Sequence, residues 1–221
     1  MEKIMYLYAL DMMADWEPGY IIAELNSGRF CKPGVSYELV ICGRNQDPIT
    51  TMGGISLHPE ICIEDIKPVS GNILILPGSD TWLDSIHSKS LNCVAGLLKT
   101  DLVIAAICGA TMGLASIGLL NSRFHTSNDI EVLKMFCPDY TGESYYLDRP
   151  AVTDGNLITA SGLAPVDFAH HVFKILDVMH ESTLSAWYNL NLSKNPKYYY
   201  ELIHSIENKG NFEDKGSQIN G

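Results

Sequence analysis

Some stretches of this chain are apolar almost without interruption: residues 4–10 (IMYLYAL), the centre of SYELVICG, ILIL within GNILILPGS, and LVIAAI at 102–107. A strand with one wet face alternates apolar and polar residues, whereas a strand covered on both faces does not. Segments of helical spacing separate these runs. Strand and helix in alternation, with strands this apolar, specify an α/β fold with a mainly parallel central sheet and helices on both faces. In such sheets ligands bind beyond the carboxyl ends of the strands. The loops 11–19, 77–80 and 108–110 all fall there and are expected to meet.

The remaining elements follow from local signals. GYIIAELNSG reads as a helix with Pro18 in its first turn and Gly28 near its end. TTMGGISLHPEICIEDI reads as a hairpin or edge pair, residues 80–98 as a helix, and DIEVLKMF as a helix that Asn128 can cap. YYLDRPAVTDGNLITASG reads as a hairpin turning at Asp154-Gly155, and LAPVDFAHHVFKILDVM as an amphipathic helix. ESTLSAWYNLNLSKNP and KYYYELIHSIENKG form one or two further helices. The latter places Tyr199, Leu202, Ile203 and Ile206 at helical spacing, as for docking on the core or at a subunit interface. From Asn208 the tail is polar and expected to fray. The chain thus divides into a domain over 1–180 and a C-terminal helical extension over 181–221.

Composition removes several function classes. Fifteen Lys and Arg stand against 26 Asp and Glu, a net charge of −11. Such a surface repels phosphate backbones and anionic lipid, so neither nucleic acid nor membrane is an expected partner. No apolar run approaches the ~20 residues of a membrane span, and residues 1–13 read as a first strand, not an export signal. The six cysteines stand at 31, 42, 62, 93, 108 and 137. They show neither C-x-x-C pairing nor histidines at zinc spacing, so they read as reduced thiols of a cytoplasmic protein, with no metal site and no cofactor.

Of these thiols, Cys108 is placed differently. LVIAAICGATMGLASIGLL begins as a strand and ends as a helix, with Cys108 at the join and Gly109 next. A nucleophile on such a turn is pushed into a cleft beside the unpaired N–H groups of the following helix. That position favours a thiolate and can bring its pKa from ~8.5 to between ~3.5 and ~7.5, so Cys108 is expected to be largely ionised at neutral pH. The other cysteines read as small core residues.

ILILPGSDTW followed by VIAAICGAT resembles the ThiJ/PfpI family of the class I glutamine amidotransferase-like superfamily. LLNSRFHTSN resembles that family's next signature, and ADWEPGYIIAEL its first loop and helix. The resemblance implies a flavodoxin-like three-layer sandwich with a nucleophile elbow, and commonly a homodimer. It implies Cys108 as nucleophile and Glu17 as the carboxyl group beside it, donating a hydrogen bond to the thiolate when protonated. Gly78 and Gly109 would supply backbone N–H groups to an oxyanion. Protease-like members carry His directly after the cysteine, where this chain has Gly109. Other members carry His at the end of an R-x-x-T-T-H stretch, where this chain has Asn128. His125 stands three positions earlier and, in a strand, would face the other way. It is a candidate base only if the loop bends; Asn128 can orient a ligand but takes no proton at neutral pH.

The expected function is a cysteine-dependent hydrolase or lyase acting on a small electrophile through Cys108. The alternatives are a redox-responsive protein whose Cys108 is oxidised without turnover, and an intracellular cysteine peptidase. The expected partner is a small-molecule substrate or oxidant.

Overall fold

The computed structural model describes residues 3–213. The long apolar runs become the strands β1 (Lys3–Ala9), β2 (Tyr37–Gly43), β6 (Ile73–Leu76) and β7 (Val103–Ile107), with the helix α1 (Gly19–Ser27) between the first two. Two short strands, β3 (Ile49–Thr50) and β4 (Ser56–Leu57), form a separate antiparallel pair, and β5 (Ile61–Cys62) joins the main sheet beside β2. The segment read as a hairpin or edge pair therefore supplies both. Chain order continues through α2 (Ser88–Leu97), α3 (Gly109–Ser116), α4 (Ile130–Phe136), β8 (Ala151–Asp154), β9 (Leu157–Ala160) and α5 (Pro165–Ile175). It ends with α6 (Glu181–Ser193) and α7 (Lys197–Glu213). The helical backbone of α7 thus extends past Asn208, where fraying was expected; residues 214–221 lie outside the described residues.

The seven-stranded sheet has the order β5-β2-β1-β6-β7-β9-β8, parallel except for the β8–β9 hairpin. Helices flank it, giving the flavodoxin-like α/β three-layer arrangement. Every residue of β6, β7 and β9 is buried, which is why these strands carry no polar alternation. From β1 the chain runs first to β2 on one side and later to β6 on the other. The order reverses between β1 and β6, the place where open α/β sheets form a crevice.

Two local readings change. The helix expected over 80–98 begins only at Ser88. Trp82 is buried and its Nε1 donates to Pro77 O at 2.7 Å, folding residues 77–84 into a turn that a helix would break. The cap of α4 is Asp129, not Asn128: its carboxylate accepts from Glu131 N at 2.8 Å and Val132 N at 3.1 Å. Among the described residues no helix is long and apolar enough to cross a membrane, and no group of three or more His, Cys, Asp or Glu could hold a metal ion.

The turn of the β8–β9 hairpin is tied to the sheet through Asn156. Its Nδ2 lies 3.2, 2.9 and 2.9 Å from the carbonyls of Leu98, Thr100 and Leu102, just before β7. Asn156→Ala leaves those carbonyls without their donor and is expected to lower unfolding free energy by about 1–3 kcal/mol. Urea denaturation measures this, and an unchanged midpoint would refute it.

Candidate active site

Cys108 leaves β7 with φ 57° and ψ −125°, a conformation strained for any residue with a side chain. Both of its backbone groups are held. Its N–H donates to Ala160 O of β9 at 3.0 Å, and its carbonyl accepts from Thr111 N at 3.0 Å and Thr111 Oγ1 at 2.6 Å. Thr111 is in turn bonded to Ser127 at 2.7 Å. These clamps hold a conformation costing on the order of 1–3 kcal/mol and turn the thiol out of the sheet at the start of α3.

The three loops expected to meet do so. Ala14 N donates to Gly78 O at 2.9 Å, and Ser79 Oγ donates to Asp11 O at 2.7 Å. Glu17, 1% exposed, is held by Gly78 N–H at 2.5 Å on Oε2 and lies against the Cys108 thiol in hydrogen-bond contact. The tight fit explains the glycines. A Cβ on Gly78 would sit 2.6 Å from Glu17 Oε2 and 2.7 Å from Cys108 Cβ, and one on Gly109 would sit 2.3 Å from Ser79 O.

Asn128 stands at the site. Its Nδ2 donates to Cys108 Sγ at 3.2 Å, and its Oδ1 accepts from Gly162 N at 2.8 Å and Ser161 Oγ at 3.4 Å. One amide therefore ties the thiol to the loop after β9. His125 is elsewhere in its bonding. It is fully buried, Nδ1 is 2.7 Å from Arg123 O, Nε2 is 2.7 Å from Tyr140 OH, and burial pushes its pKa down. Both ring nitrogens are engaged in the interior, so the expectation of a base at His125 is replaced by that of a neutral packing residue.

Two further expectations change. The Gly78 N–H is occupied by Glu17, so it is not free for an oxyanion in this state, whereas the Gly109 N–H lies beside the Cys108 sulfur. The Ser79 N–H, next in the same turn, has no acceptor among the described residues. Nor do the surroundings by themselves ionise Cys108. Burial pushes the thiol up most strongly; Asn128 pulls it down, Glu17 pushes it up through charge and hydrogen bond, and the Gly109 N–H lowers it. Burial likewise raises Glu17, against the lowering contacts of Gly78 N–H and Cys108. The carboxyl and the thiol are in contact, so they titrate as a coupled pair.

Gly162 is the residue that sequence reasoning missed. A Cβ there would lie 2.8 Å from Cys108 Sγ and 3.0 Å from Glu17 Oε1. The available signal was topological: β9 runs parallel to β7, so the loop following it lands beside the loop carrying Cys108.

Two outcomes are expected. In a pH profile of iodoacetamide labelling, Asn128→Ala moves the Cys108 midpoint upward, because the bond removed favours the thiolate; a downward or absent shift would contradict the geometry. Gly162→Ala slows labelling at neutral pH by about tenfold to a hundredfold through misplacement of the sulfur and its neighbour, with the circular dichroism spectrum unchanged.

Residues 2–175 match the family model described as the DJ-1/PfpI family. The chain is 50% identical over 202 residues to the uncharacterized protease YoaZ of Bacillus subtilis (strain 168), covering 91% of this chain and 96% of that protein. It is 34% identical over 178 residues to the uncharacterized protease YdeA of the same organism, covering 80% and 84%. Among solved structures it is similar to a ThiJ/PfpI family protein from Bacillus anthracis, with a TM-score of 0.89 and 46% identity over 93% of this chain and 97% of that one. With its strained cysteine turn and adjoining buried glutamate, the chain belongs to the DJ-1/PfpI family.

Proposed function

We propose that the protein is a cysteine-dependent hydrolase acting on a small electrophilic carbonyl compound through Cys108. The observation that carries this reading is the strained Cys108 turn with its sulfur between Glu17 and Asn128. A buried structural cysteine has no need of a left-handed backbone clamped at both N–H and C=O. The protease names of the relatives at 50% and 34% identity support the hydrolase class.

The proton inventory determines the mechanism. No imidazole among the described residues bonds the sulfur, so the acid–base work falls to Glu17. The pair starts with one proton. As Sγ attacks the carbonyl carbon, that proton resides on Glu17, and the carbonyl electrons pass to oxygen. The backbone N–H groups of Gly109 and Ser79 are the donors for that oxygen. When the tetrahedral intermediate collapses, the C–N or C–O bond breaks and Glu17 protonates the departing group. Water then attacks the thioester, gives a proton to Glu17, and releases the acid and the thiolate. The pair again holds its one proton, as at the start.

The test compares wild type, Cys108→Ser and Glu17→Gln on acetyl p-nitroanilide and p-nitrophenyl acetate. Expected are loss of turnover in Cys108→Ser, and in Glu17→Gln a fall in kcat of about 10²–10⁴-fold with Cys108 still alkylated. Turnover surviving in Cys108→Ser would overturn the proposal. So would a wild type that turns over neither compound class while mild peroxide converts Cys108 alone to sulfinate, the signature of a redox-responsive thiol.

A further inference from the structure

A cavity lies apart from Cys108, between α1 and the helices α6 and α7. Its volume is about 480 Å³, and Cys108, Glu17, Asn128 and Gly162 do not line it. Small-molecule sites fall at roughly 300–1,000 Å³ and combine apolar walls with a few placed polar groups. Here the walls are aromatic: Trp16, Tyr20 and Phe30 on one side, Trp187 and Tyr199 on the other. Trp16 and Tyr199 keep 56% and 53% of their surface exposed. Of the α7 residues expected to dock, Leu202 is buried, whereas Tyr199 faces the cavity.

The polar side chains of this cavity include Glu24, Arg29 and Asn191, the last with its Nδ2 donating to Trp187 O at 2.9 Å. Glu24 is buried, and its carboxylate is saturated. Oε1 accepts from Trp187 Nε1 at 3.0 Å and Arg29 Nη2 at 2.5 Å, and Oε2 accepts from Arg29 Nε at 2.8 Å. The charges of the pair cancel, so a bare cation finds no free carboxylate. Arg29 is different, because five donors exceed two bonds. Its Nη1 makes no hydrogen bond among the described residues, and its guanidinium lies over the Phe30 ring at 4.6 Å. The cavity therefore presents ring faces for stacking and one unspent donor edge.

We propose that this cavity binds a planar aromatic small molecule carrying a carboxylate or carbonyl acceptor, stacked among the aromatic walls with its acceptor on Arg29. The site is separate from the proposed chemistry at Cys108 and stands whether or not that proposal does.

The probe is 2-naphthoate, titrated by calorimetry and by quenching of tryptophan fluorescence. Saturable binding of one molecule per chain is expected in wild type and in Cys108→Ser. Ala23→Trp introduces bulk from an exposed position on α1 that lines the cavity, and Leu190→Trp introduces it from α6. Either is expected to weaken binding by about tenfold or more, and circular dichroism identifies the variant that retains its fold. Arg29→Lys keeps a charge for Glu24 but loses the planar fork, and is expected to weaken 2-naphthoate binding as well. Absence of saturable binding, equal affinity in a folded cavity-filling variant, or loss in Cys108→Ser would each overturn the proposal. So would sedimentation showing that the filling variants dissociate a dimer while wild type binds no probe, since the occupant would then be a second copy of the chain.

Discussion

The backbone of Cys108 is in a conformation it would not adopt alone, and the reaction chemistry proposed here depends on keeping it there. The restraint comes from residues distant in sequence: Ala160 of β9 takes its N–H and Thr111 of α3 holds its carbonyl. Both partners are buried, so water does not compete for these bonds. A strained turn persists only where its surroundings over-determine it. Here the parallel pairing of β7 with β9 supplies that excess of constraint, and the sheet is part of the reactive site rather than a scaffold beneath it.

The same topology decides which groups meet the sulfur. Glu17 arrives from the loop after β1, Gly78 from the turn after β6 and Gly162 from the loop after β9, because these strands point the same way. Asn128 arrives from the segment before α4 and joins the thiol to the last of these loops. Low polarity around the pair makes two negative charges costly. Glutamate and cysteine are consequently coupled in their titration. His125, three residues from Asn128, fills the interior with its nitrogens on Arg123 O and Tyr140 OH.

The legible parts of the fold were those written in local pattern. Strands buried on both faces are apolar throughout, so β1, β6 and β7 could be read directly, and the Asp154-Gly155 turn marked the β8–β9 hairpin. Cys108 stood out because a strand pattern changes to a helical one at that residue. What could not be read was set by contacts across the chain. Trp82 reaches back to Pro77 and delays α2. Asn128 and Asp129 are adjacent and both suit a helix cap; only the fold sends one to Val132 and the other to Cys108. Gly162 looks like any loop glycine until β9 is laid beside β7. The titration of Cys108 has a related limit of legibility: a helix N-terminus is visible in sequence, but the burial that pushes the thiol up is not.

The ends of the sheet carry a consequence of their own. Its borders are β5, with only Ile61 and Cys62, and β8, with Ala151–Asp154 following directly on Pro150. A border strand recruits another chain when it offers a long row of unpaired amides. These borders are too short, and one abuts a residue lacking the amide hydrogen such recruitment needs. Runaway strand addition, the usual hazard of so apolar a sheet, therefore has no template at either margin.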